Sequence, residues 1–78
     1  MAIQIKTERY EFAHGKAPKG AGSWAFIQEA CFNHDAAKSF GEHTIFAPGW
    51  MTYREACAWV RKLVRTEGFR DATIHVAA

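Results

Sequence analysis

Apolar and polar residues alternate from the start of the chain, Ile3 and Ile5 against Gln4 and Lys6. That is the period of a half-buried strand. The apolar set then changes phase and returns at Tyr10 and Phe12. A one-residue slip would turn every following side chain to the other face, so a bulge or bend near Thr7–Arg9 is expected to carry the strand onward. Trp24, Phe26 and Gln28 alternate with Ala25, Ile27 and Glu29 and predict a second strand ending near Cys31. The two strands are expected to form a hairpin with a long tip. Residues 33–41 are polar, and Asn33 or Asp35 is expected to cap a single short turn through Ala36–Phe40 closed by Gly41. Thr44, Ile45, Phe46 and Ala47 form a short third strand, halted by Pro48-Gly49.

The clearest element follows. Thr52-Tyr53-Arg54-Glu55 is a capping box, in which threonine and glutamate each satisfy a free helical N–H. The helix is expected to run from Tyr53 to about Glu67 and to stop at Gly68. Ala56, Trp59, Val60, Leu63 and Val64 recur at three- and four-residue spacing and mark its buried face. Ala72 to Val76 closes the pattern as a fourth strand, with Ile74 and Val76 inward. The expected fold class is therefore α+β: a single βββαβ two-layer domain over residues 1–78. Its four-stranded sheet is mixed and mostly antiparallel, with one helix packed on one face. The last strand is expected to lie beside the first and parallel to it, through a right-handed crossover.

A chain of 78 residues is near the size at which one core barely suffices. Aromatic residues make up 14% of it, with three Trp and six Phe. One helix cannot cover both faces of a sheet, so this surplus predicts a partner surface as well as a dense core, and a homodimer is the expected use. The formal net charge of +2 permits an anionic partner without the basic excess of a dedicated nucleic-acid binder. Cys31 and Cys57 are too few for a disulfide scaffold and are expected as free thiols. The opening Met1-Ala2-Ile3-Gln4 enters a strand pattern with no signal-peptide character. No apolar run approaches the roughly 20 residues of a bilayer span. The expected location is the cytoplasm, with no membrane partner.

Candidate chemistry concentrates in one stretch, His14-Gly15-Lys16-Ala17-Pro18-Lys19-Gly20-Ala21-Gly22-Ser23-Trp24. Glycine allows close approach to the main chain, and lysine supplies charge for phosphates and carboxylates. The order of residues is neither a P-loop nor a dinucleotide fingerprint, since no helix opens after the glycines. What remains is an anion-binding nest near Gly20 and Gly22, with His14, Lys16 and Lys19 beside it and Trp24 as an aromatic neighbour. At about 100° per residue, Arg54, Arg61 and Arg65 form one outer stripe of the helix, a second basic candidate. The bland alternatives are a solvated turn and the ordinary charged face of an amphipathic helix.

Other chemistry is thinner. Cys31-x-x-His34 with His43 has ligand-like spacing, but no pair of ligands sits one turn apart on the helix, and no metal or other cofactor is expected. No nucleophile elbow or paired-acid motif appears among the eight carboxylates, so no catalytic residue is assigned. Trp50 is expected to pack over the helix N-terminus.

The run from His14 through Gly15, Lys16, Pro18, Lys19, Gly20, Gly22 and Trp24 to Phe26 resembles segments of short bacterial proteins carried on mobile elements. The resemblance covers about a third of the chain if the helix entry is included. It implies a bacterial cytoplasmic accessory protein and transfers no activity or residue role. The expected function is a small non-enzymatic binding module, dimeric, that contacts nucleic acid or an acidic protein surface through the glycine–lysine loop. The alternatives are a binder or minor enzyme for a small phosphate or carboxylate, using His14 and Lys16, and a ligand-free structural subunit.

Overall fold

The computed structural model describes residues 3–77, so the lead-in Met1-Ala2 lies outside the described residues. The elements run β1 (Ile3–Lys6), α1 (Glu8–His14), β2 (Ala21–Gly22), β3 (Ala25–Gln28), β4 (Cys31–Asn33), β5 (Lys38–Phe40), β6 (His43–Phe46), β7 (Met51–Thr52), α2 (Tyr53–Thr66) and β8 (Ala72–Val76). A four-stranded sheet takes the order β1-β8-β3-β6. β8 is parallel to β1 and antiparallel to β3, and β3 is antiparallel to β6. The fold is thus α+β with a mixed sheet, but with two helices where one was expected. Among the described residues no helix is long and apolar enough to cross a membrane.

The added helix corrects the reading of Tyr10 and Phe12 as a bulged strand. Glu8 and Glu11 lie in the first turn of α1, His14 in the last, and Gly15 caps it; acids at the start and a base at the end suit the helix dipole. Tyr10 and His14, one turn apart, stack with centroids 4.1 Å apart. A two-residue recurrence of aromatics could not distinguish this from a strand.

The expected first hairpin is also replaced, because β8 lies between β1 and β3. The hairpin that does form pairs residues on either side of a turn at 34–37. β3 meets β6 from Ala25↔Phe46 to Gln28↔His43, and β4 meets β5 from Cys31↔Phe40 to Asn33↔Lys38. Both pairs share one register, so these strands form a single long ribbon. Asn33 Oδ1 accepts the Ala36 N–H at 2.9 Å, and Ala37 takes φ 54°. The turn expected through Ala36–Phe40 is thus corrected: the chain turns at 34–37 as the tip of a ribbon, and Lys38–Phe40 is a strand of it.

α2 matches its sequence pattern closely. Ala56, Cys57, Val60 and Val64 are buried, and Trp59 and Leu63 pack half-buried against the core. They cover one sheet face, made by Ile3, Ile5, Ile74, Val76, Phe26 and Ile45. Cys31 and Cys57 are both free thiols. At its C-terminal end the helix is held by the ribbon tip. Asn33 Nδ2 donates to the Glu67 carbonyl at 2.9 Å, and Phe40 meets Phe69 edge-on at 5.6 Å between centroids.

Gly68, at φ 101°, leaves no room for a side chain: a Cβ there would stand 2.7 Å from the Asp35 Cβ. Gly68→Ala combines this clash with a left-handed backbone and is expected to cost about 1–3 kcal/mol, read from urea unfolding. The core also holds a polar group, Gln28, fully buried beside Ile74. Its Nε2 donates to Cys31 Sγ at 3.2 Å, while its Oε1 has no hydrogen-bond partner. An unsatisfied buried acceptor costs about 1–3 kcal/mol. Gln28→Met, close in shape, is therefore expected to raise the unfolding free energy by about 1 kcal/mol in the same measurement.

Candidate functional site

The glycine-rich loop is tied down, and the ties run to the start of α2. Ala21 and Gly22 pair with Thr52 and Met51. Gly20 adopts φ 82°, a conformation costly for a residue with a Cβ, and its carbonyl accepts the Tyr53 N–H at 2.8 Å. Trp24 Nε1 donates to the Met51 carbonyl at 3.1 Å, and Pro18 is buried. The loop is thus a strap laid across the helix entry and not the free tip of a hairpin.

The capping box is complete on the other side of this strap. The Glu55 N–H donates to Thr52 Oγ1 at 3.1 Å, and the Thr52 N–H donates to Glu55 Oε1 at 3.0 Å. Hydrogen bonds from the Thr52 backbone and hydroxyl hold the Glu55 carboxyl below its ordinary 4.5. Because the folded state lowers this pKa, the associated stabilisation is present at neutral pH and lost as pH falls through the lowered value.

A run of rings joins strap, α1 and α2. Tyr10 lies 5.8 Å from Trp24, and Trp24 lies 5.1 Å from Tyr53, centroid to centroid. Burial, then the neighbouring Cys57, pushes the Tyr53 phenol above its ordinary 10, so it stays a neutral part of this cluster. Trp24 is only 8% exposed: it anchors the strap in the core and keeps little ring face at the surface. Phe26 is likewise buried in the core.

His14, Lys19, Gly22 and Trp24 line one depression of about 360 Å³, together with Tyr10 and Ala77. Lys16 is exposed just beyond Gly15. The Gly20–Tyr53 hydrogen bond makes Lys19 and Arg54 neighbours of one main-chain contact, so the loop lies beside the first residue of the arginine stripe. Arg61 lines a separate shallow surface with Arg54 and Ile5. Arg61 and Arg65 trail along the helix by about 10 and 16 Å at 1.5 Å per residue, so of the three only Arg54 adjoins the loop in the main chain.

Two chain segments meet at the strap, 12–28 and 47–54, and neither contains a carboxylate. The acids at their borders are engaged: Glu11 accepts a hydrogen bond from the Thr7 hydroxyl, Glu29 is bonded to His75, and Glu55 belongs to the capping box. Two aromatic side chains stand out from the same segments, Phe12 at 94% and Trp50 at 75% exposure. Trp50 thus corrects the expectation that it covers the helix N-terminus; it projects from the Pro48-Gly49 turn before β7. The opposite end of the sheet has a depression of about 380 Å³ lined by Glu29 and Asp71 among others, whose charges disfavour an anion.

Sequence reading missed one pair. His75 Nε2 and Glu29 Oε2 are hydrogen-bonded across 46 positions of chain, and this bond, more than the nearby Lys6 and Arg9, lowers the Glu29 pKa. Only the pairing of β3 with β8 brings them together, so no local motif announced it. Cys31, His34 and His43 do not converge: Cys31 accepts from Gln28, His34 meets Phe32 edge-on, and His43 Nδ1 contacts the Gly41 carbonyl. Among the described residues no group of three or more such side chains is gathered for a metal.

Compared with family models, curated proteins and solved structures, the chain matches none. The site therefore stands on its own geometry. Trp24→Phe keeps the ring but removes the donation to Met51. We expect a stability loss of about 1 kcal/mol and a rise in amide exchange at Ala21 and Gly22, measured by hydrogen exchange, that exceeds the roughly fivefold rise this loss gives the β8 amides.

Proposed function

We propose that this protein is a small non-enzymatic binding module that grips single-stranded nucleic acid with the strap surface and self-associates. The observation that carries this reading is the meeting of two carboxylate-free segments, bearing Lys16, Lys19, Arg54 and His14, with Phe12 and Trp50 exposed among them. Cations on such a surface neutralise phosphates. Exposed rings beside them stack bases without regard to sequence, at about 1–3 kcal/mol per base. An acidic protein surface would also use the cations and can bury aromatic rings; nucleic acid is favoured because each base offers a ring face to Phe12 and Trp50 while its phosphates meet the cations. The fixed strap adds preorganisation, since its main chain is already ordered before a ligand arrives.

A second reading draws on the depression between His14, Lys19 and Trp24. Its basic rim and aromatic wall suit a small carboxylate or phosphate ligand. In that case Lys19, which lines the depression, takes the part expected of Lys16. A stabilising ligand in a thermal-shift screen that is lost with His14→Ala would favour it.

Anisotropy titrations with short labelled DNA and RNA strands test the main reading. Binding is expected at low salt and should weaken linearly on a log–log plot. Lys16→Ala with Lys19→Ala should flatten that slope by about one per lost phosphate contact. Trp50→Ala should weaken binding at every salt concentration and leave the slope unchanged. Absence of binding at low salt removes nucleic acid. Binding to polyglutamate as tight as to the oligonucleotides, and indifferent to Trp50, would point to an acidic protein instead.

A further inference from the structure

β6 forms one margin of the four-stranded sheet, with β3 on its inner side and no described strand on its outer side. The Ala47 N–H donates to the Trp24 carbonyl at 3.0 Å. Antiparallel ladders alternate hydrogen-bonded and open pairs, so His43, Ile45 and Ala47 turn their main-chain groups toward β3. The opposite parity of β3 serves β8, as the Ala77 N–H to Ala25 carbonyl and Glu29 N–H to Thr73 carbonyl bonds show. Thr44 and Phe46 therefore direct their N–H and C=O groups to the free margin.

Sheet margins are ordinarily guarded by lysine, proline, bulges or inward charges. Residues 43–47, His-Thr-Ile-Phe-Ala, contain none of these. The charged positions of this arm, Lys38 and Glu42, precede that stretch, and Pro48 follows it. The other margin, β1, ends on Lys6 and leads at once into α1. Phe46 is 74% exposed on the sheet face that α2 leaves uncovered, and its cross-strand partner is Ala25.

We infer that β6 is a homodimer interface, in which two copies of this chain pair β6 with β6 antiparallel about a twofold axis at Ile45. This deepens the self-association in the proposed function and does not depend on nucleic acid. In this register Thr44 of one copy faces Phe46 of the other. Each such pair exchanges both of its hydrogen bonds, so every outward main-chain group of Thr44 and Phe46 is satisfied. Directly opposed residues share a sheet face, so the Phe46 ring covers Thr44 of the other copy on the uncovered side. An axis at Thr44 would set the Glu42 carboxylate beside Phe46 instead. Registers between these two would bring the inner face of one copy to the outer face of the other. A second copy is the natural occupant because the margin is self-complementary and carries no like charges to repel.

Sedimentation equilibrium and concentration-dependent hydrogen exchange on the full chain test this. The expected mass is twice 8.8 kDa, with the Thr44 and Phe46 amides gaining protection as protein concentration rises. Thr44→Pro removes only an outward N–H and should give a folded monomer. Phe46→Lys restores a guarding charge and should do the same; circular dichroism checks that both stay folded. A wild-type monomer at all concentrations overturns the inference, as does a dimer that survives both substitutions. Neither Thr44 nor Phe46 belongs to the strap surface. A monomer that still binds oligonucleotide would therefore refute the interface alone, and a β6-paired dimer that binds none would refute only the nucleic-acid reading.

Discussion

Pairing between the arms 24–33 and 38–47 keeps a single register on both sides of the short gap at 29–30 and 41–42. That register makes β3 and β6 neighbours and leaves the other edge of β3 for β8. It also brings the two ends of the ribbon to the two ends of α2, a helix of 14 residues and hence about 21 Å long. At one end Trp24, Gly20 and the β2–β7 pair hold the helix start; at the other, Asn33 and Phe40 hold its finish. A slip of one residue would move Phe26 and Gln28 from the core to the outer face and part both clasps.

The strap inherits its order from this arrangement. A glycine-rich loop on its own would sample many conformations, and fixing it upon binding would weaken any affinity. Here the ordering is supplied by folding, through bonds to Met51 and Tyr53 that form whether or not a ligand is present. Trp24 contributes by being buried, which is the reverse of an exposed aromatic reader. The exposed aromatic surface beside the strap falls instead to residues in less constrained settings, Phe12 on a short helix and Trp50 in a turn.

Legibility in the sequence followed the range of the interactions. α2 and its cap were readable because capping and amphipathic burial act within one or two turns. Strand β8 and its parallel pairing with β1 followed from a clean apolar run and a single helical crossover. α1 was not readable: Tyr10 and Phe12 fit a strand period, while the helix depends on a Tyr10–His14 stack and on Trp24 arriving from elsewhere. The loop between Gly15 and Gly22 was visible as unusual, yet its tether lies in Met51 and Tyr53, some thirty residues on. The His75–Glu29 pair and the clash that reserves Gly68 for glycine have no local signature at all.

What the amino-acid sequence alone determined was the position of the strongest helix, the alternation that forms the sheet, the basic loop and the outward arginines. Each follows from backbone geometry and neighbours within a few residues. The tertiary structure decided which strands meet, that the loop is a strap, that its main chain adjoins Arg54 and not Arg61 or Arg65, and which margin of the sheet is left open. Those outcomes depend on contacts between distant segments, whose register is set by burial of the whole core and not by any one stretch of chain.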